Sequence, residues 1–146
     1  MHVYHYLEHG CADGWKAFES SCYIFIPNKV EWSAAQKECS DMNSDLVSIH
    51  SEEENNFVMT LQGDPPSVRN TWLGGQRDGK HFYWPDGEFD YKAWDENEPN
   101  ELHGMEHCIE MYSKPQNPSK HKKWNDIRCN EQNSFVCKKK KGGNNH

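Results

Sequence analysis

Five side chains in this 146-residue chain carry oxygen donors at spacings that could hold a hard divalent cation. Glu98, Asn100 and Glu106 share one stretch, and Asn125 and Asp126 follow Trp124 further on. Three carboxylates and two amide carbonyls suit Ca²⁺, which takes about six to eight oxygen ligands. Pro99 fixes its own φ and so stiffens the first pair. Taken alone, an Asp/Asn/Glu-rich loop is most often solvated surface. The two stretches become one site only if something draws them together, as a bridge between Cys108 and Cys129 would.

Several elements must position these donors. From Cys11 to Cys22 and on through Tyr23-Ile24-Phe25-Ile26, an aromatic segment reads as strands closed by a short bridge. Over residues 31–42, Trp32, Ala35, Cys39 and Met42 recur at helical spacing. A second helix starts at Ser51, with Glu54 three positions on as a capping box. Phe57, Val58 and Leu61 supply its buried face, and the run Gly63-Asp64-Pro65-Pro66 stops it. Trp72-Leu73-Gly74-Gly75 and Phe82-Tyr83-Trp84 read as buried strands around a turn at Asp78-Gly79. Residues 85–107 are turn chemistry almost throughout, and a loop of that length in a small domain is usually functional. Residues 108–112 and 134–137 alternate like strands, and 138–146 reads as a frayed basic and polar tail.

Composition narrows the function classes. The mean hydropathy of -1.08 leaves no stretch able to span a membrane. Aromatic residues at 12% exclude a disordered chain, so the core is small and ring-built. Six cysteines without a Cys-x-x-Cys pair fit a disulfide framework made outside the cell, although sequence alone leaves the pairing open. The net charge is -7, but residues 1–113 carry -14 and residues 114–146 carry +7. No groove-reading motif accompanies the lysines, so nucleic acid is not the expected partner. His103-Gly104-Met105-Glu106-His107 matches a zinc-hydrolase motif, but that motif needs a helix, and Pro99 and Gly104 argue against one.

The chain resembles the C-type lectin-like domain over about residues 11–137. Six cysteines in the long-form pattern, Trp72-Leu73-Gly74-Gly75, Glu98-Pro99-Asn100 and Trp124-Asn125-Asp126 carry the likeness. The resemblance implies an α+β fold of two helices, antiparallel sheets and a long irregular calcium-binding loop. It implies the bridges Cys11–Cys22, Cys39–Cys137 and Cys108–Cys129. It divides the chain into a leading extension at 1–10, the lectin domain at 11–138 and a tail at 139–146.

The same resemblance assigns Glu98, Asn100, Glu106, Asn125 and Asp126 both to calcium and to sugar, with a cis peptide before Pro99. The order Glu-Pro-Asn implies mannose-type ligands on cell or microbial surfaces: mannose, N-acetylglucosamine, and fucose by a related pose. The expected protein is a secreted lectin of innate recognition, without catalysis or membrane insertion. Any homo-oligomer would be noncovalent, since all six cysteines are bridged. Family members that have lost calcium bind proteins instead. The alternative is therefore a protein- or glycosaminoglycan-binding module using the basic 114–123 loop and the C-terminal lysines. Ice binding, known among relatives, fits poorly with a chain whose only threonines are Thr60 and Thr71.

Overall fold

Strand pairing in this chain begins with its aromatic N-terminal third. The computed structural model describes residues 10–63, 66–100, 107–114 and 117–142. Strands β1 (Lys16–Phe18) and β2 (Ser21–Val30) form an antiparallel hairpin stapled by Cys11–Cys22. Helix α1 (Trp32–Asp41) buries Trp32, Ala35 and Cys39, the residues whose spacing marks it in the sequence. A two-residue strand β3 (Asp45–Leu46), which has no sequence signal of its own, leads to α2 (Glu52–Thr60). Ser51 Oγ accepts from the Glu54 N–H at 3.0 Å, as the capping box requires. The Glu54 carboxylate departs from that motif: it accepts the His50 N–H at 2.8 Å instead of reaching Ser51.

Five further strands complete one eight-stranded sheet: β4 (Asn70–Asp78), β5 (His81–Tyr83), β6 (Cys108–Tyr112), β7 (Trp124–Ile127) and β8 (Asn133–Lys140). The hydrogen-bonded path runs β1-β2-β8-β4-β6-β7, with β3 on β8 and β5 on β4. The expectation of antiparallel sheets holds for the other pairs, but β4 and β8 run parallel. The expected frayed tail is corrected in part: Lys138, Lys139 and Lys140 continue β8 and pair with Tyr23, Cys22 and Ser21. Strand β5 is only partly covered, and Tyr83 is 45% exposed although Trp84 beside it is buried.

The Gly74-Gly75 pair has a steric cause. A Cβ on Gly74 would lie 2.4 Å from the Leu46 carbonyl oxygen, while the Gly74 N–H donates to Val47 O at 2.8 Å. Glycine therefore lets β4 press backbone to backbone against the 46–47 segment. The bridge Cys39–Cys137 joins α1 to β8, and Cys108–Cys129 joins β6 to the turn after β7. The three pairings are those the family resemblance implies. Closing the 98-residue separation of Cys39 and Cys137 removes roughly 4–5 kcal/mol of unfolded-chain entropy.

Candidate functional site

Trp124 is the footing of the candidate site. Its side chain is fully buried, and Trp84, Phe89, Tyr91 and Trp94 surround it with ring centroids 5.5–6.0 Å away. Its indole N–H donates to Asn55 Oδ1 of α2 at 3.0 Å. Its backbone N–H donates to Ala93 O, and its carbonyl accepts from the Asp95 N–H, both at 2.8 Å. The long loop is thus stitched to β7 immediately before its donors. Glu98 continues the turn through its N–H to Asp95 O at 3.0 Å.

The structure ties three of the five expected ligands, Glu98, Asn100 and Asp126, into one hydrogen-bonded group, and Asn125 precedes Asp126 on β7. The Glu98–Pro99 peptide is cis, as the family likeness implies. The Asn100 N–H donates to Asp126 Oδ1 at 3.0 Å, which closes the 98–100 segment onto β7. Asn100 Nδ2 lies 3.4 Å from Glu98 Oε2, so an amide donor and a carboxylate acceptor stand side by side. Asn125 donates through Nδ2 to Glu110 Oε2 at 2.9 Å, and Asn133 donates to the other Glu110 oxygen at 3.1 Å. Glu110 therefore orients the Asn125 amide through its N–H₂ group, and the carbonyl oxygen takes no part in that bond. Glu106, with 101–105, lies outside the described residues.

Asp126 is the departure. Its side chain is fully buried, and Oδ2 accepts Arg77 Nη2 at 2.9 Å, the Arg77 side chain being only 6% exposed. Neither Arg77 nor Glu110 carries a sequence signal, because nothing in local spacing places β4 or β6 beside β7. Calcium would draw on the oxygens of Glu98, Asn100, Asn125 and Asp126, a donor set that fits a hard cation in kind. Among the described residues, His, Cys, Asp and Glu side chains alone form no cluster of three suited to a metal. Within the described residues, a cation would therefore need the asparagine carbonyls beside the carboxylates of Glu98 and Asp126.

Four of the lysines expected to meet a polyanion, two in the 114–123 loop and two on β8, have partners within the fold. Lys120 Nζ donates to Asp95 Oδ2 at 2.5 Å, and that bond raises the lysine's pKa. Lys122 Nζ donates to Asn56 Oδ1 at 3.0 Å. Lys138 lies 2.6 Å from Glu54, and Lys139 sits over the Trp15 ring. His107 is exposed in the loop leading into β6; His103 and the rest of the zinc-like motif fall outside the described residues.

A second polar cluster, which sequence reading missed, lines an open cleft of about 430 Å³ between β2, α2 and β8. Glu54 receives the Tyr23 hydroxyl at 2.5 Å, Lys138 and the His50 N–H. Burial first, and then the Glu54 carboxylate, raise the Tyr23 pKa and keep it a donor. The His50 ring spans Asp90 at 2.7 Å and Asp86 at 3.1 Å. Burial works against its charge, but the two aspartates outweigh burial and its pKa is raised.

Residues 28–139 match the Lectin C-type domain family, and the chain belongs to it. It is similar to the galactose-specific lectin nattectin of Thalassophryne nattereri, 32% identical over 136 residues, covering 88% of this chain and 80% of the relative. Among solved structures it is similar to herring type II antifreeze protein, with TM-score 0.78 and 32% identity over 89% of this chain and 98% of that one. It is also similar to the carbohydrate-recognition domain of cow CD23 in the presence of GlcNAc2Man3 oligosaccharide. There the TM-score is 0.76 and the identity 30%, over 89% of this chain and 95% of that one.

Proposed function

We propose that this protein is a secreted calcium-dependent lectin for mannose-type glycans, acting in recognition of microbial surfaces and without catalysis. The observation that carries the reading is the Asn100 N–H bond to Asp126, which joins two ligand stretches separated by 26 positions. Glu98, Asn100, Asn125 and Asp126, with Glu106, would hold the ion. Bound calcium supplies open coordination positions for two vicinal sugar hydroxyls. The chain does the rest. A Glu98 carboxylate oxygen accepts a hydroxyl proton, and Asn100 Nδ2 beside it donates to the same sugar oxygen.

Nattectin and cow CD23 carry sugar in their names or ligands, which supports glycan binding by this chain. Galactose specificity in nattectin does not carry over, because the order of acceptor then donor at 98 and 100 here favours equatorial 3- and 4-hydroxyls. The engaged state of Lys120, Lys122, Lys138 and Lys139 weighs against the glycosaminoglycan alternative. One shallow site holding two hydroxyls should bind a monosaccharide on the order of millimolar. Cell-surface binding then needs several sites on one particle.

A glycan array with calcium, and again with EDTA, tests the reading. Mannose-terminated glycans should bind only with calcium, and Glu98→Gln with Asn100→Asp should shift preference toward galactose. Mannose binding that persists in EDTA, or a double variant with unchanged mannose inhibition, refutes it.

A further inference from the structure

Asp126 already has a cation. Arg77 leaves β4 with its guanidinium carbon 4.4 Å from the centre of the Phe82 ring of β5. Its backbone N–H donates to His107 O at 3.0 Å, so strand, ring and loop all fix it. From there Nη2 reaches Asp126 Oδ2 at 2.9 Å, and the other carboxylate oxygen takes the Asn100 N–H. The charge pair is almost wholly removed from water, where a guanidinium suits a carboxylate better than an ammonium does. An ion-free carboxylate that anchors a loop needs a compensating charge when buried, and Arg77 supplies it.

We propose that Arg77 is a resident counter-charge that holds Asp126, and with it the 98–100 loop, in place without calcium, and weakens the ion's hold when it binds. The proposal rests on Asp126 being a calcium ligand. Two consequences follow from one contact. In EDTA the Asn100 N–H keeps its acceptor, so the loop stays docked. On metal addition a divalent ion meets a positive charge on its own ligand, and the apparent affinity falls.

The test is calorimetric titration with calcium alone, together with amide exchange in EDTA and in calcium, for wild type, Arg77→Gln and Arg77→Lys. The glutamine variant should bind calcium about tenfold tighter or more, because like-charge repulsion in a poorly solvated site is strong. Its Asn100 amide should exchange faster in EDTA and regain protection in calcium. The lysine variant should bind calcium within about threefold of wild type, since it keeps the charge. In wild type, Asn100 protection should change less than about twofold on adding calcium, a result that needs no variant to fold.

A glutamine variant whose calcium affinity stays within twofold of wild type overturns the proposal and leaves the lectin reading standing. A wild-type loop that exchanges freely in EDTA and is ordered by calcium also overturns it. Calcium binding by the glutamine variant but not by wild type upholds the proposal and overturns the calcium-dependent reading of the native chain. Absence of calcium binding in both overturns both.

Discussion

Replacing Glu54 by Gln removes one charge from a place where the fold has little water to compensate. Glu54 is 5% exposed, and the Lys138 side chain that it holds at 2.6 Å is 13% exposed. After the change, Lys138 keeps Ser48 O and Oγ at 3.1 Å, but the nearest carboxylate is Asp86 at 3.9 Å. Breaking a buried ion pair on one side costs about 3–5 kcal/mol. The amide oxygen of Gln still accepts one hydrogen bond, so the lower end, about 3 kcal/mol, is expected. For a domain of this size that lowers Tm by about 6–12 °C. Urea unfolding of the oxidised protein, followed by tryptophan fluorescence, measures it directly. Removing both partners, Glu54→Gln with Lys138→Met, should recover at least about 1 kcal/mol relative to additivity. A single variant that loses less than about 1 kcal/mol, or a strictly additive double variant, would show that solvent reaches the pair and would refute the reasoning.

The His50 clasp makes stability depend on pH. Its folded pKa lies above the ordinary histidine value of about 6.5, so its contribution is complete below that value and fades as pH rises through the raised one. Asp86 and Asp90 are lowered, Asp86 by the Ser48 bond and the His50 charge against the pull of burial, Asp90 chiefly by its bond to His50. Their contribution is present above about pH 4 and is lost as pH falls through the depressed values. Urea midpoints from pH 4.5 to 8.5 should therefore decline on the alkaline side in wild type but not in His50→Gln; parallel curves would remove the clasp. Gly74→Ala should destabilise by about 3 kcal/mol, because its new methyl meets the Leu46 carbonyl backbone and neither side is a flexible side-chain tip. A midpoint within error of wild type would mean that the 46–47 segment moves aside freely.

Local periodicity read α1 and the Ser51 start of α2 well, because both depend on residues three or four apart. It placed the Glu54 carboxylate wrongly, since its partners Tyr23 and Lys138 lie 31 and 84 positions away. Lys138, Lys139 and Lys140 looked like a solvated tail by charge. In the fold their backbone completes the pairing of β2, and the ammonium groups of Lys138 and Lys139 sit over the rings of Tyr23 and Trp15. Two adjacent aromatics, Tyr83 and Trp84, took opposite fates, which hydrophobicity alone does not distinguish. The candidate ligand residues at 98, 100, 125 and 126 stand out in the sequence because their motifs are dense in donors. Arg77 does not, for a lone basic residue on a strand reads as ordinary surface until β7 is seen beside it.

The Gly142 N–H bonds to Gly10 O at 3.2 Å, and Lys141 bonds to Ser20 beside them. Both extremities of the described chain therefore leave from the β1 margin, while 98–100 rides on β7 at the far end of the strand order. A molecule tethered to a bead or sensor chip by either extremity would turn its candidate recognition face outward. Several copies gathered by such tethers would display their faces to the surroundings like petals, with no loss of access from the attachment itself.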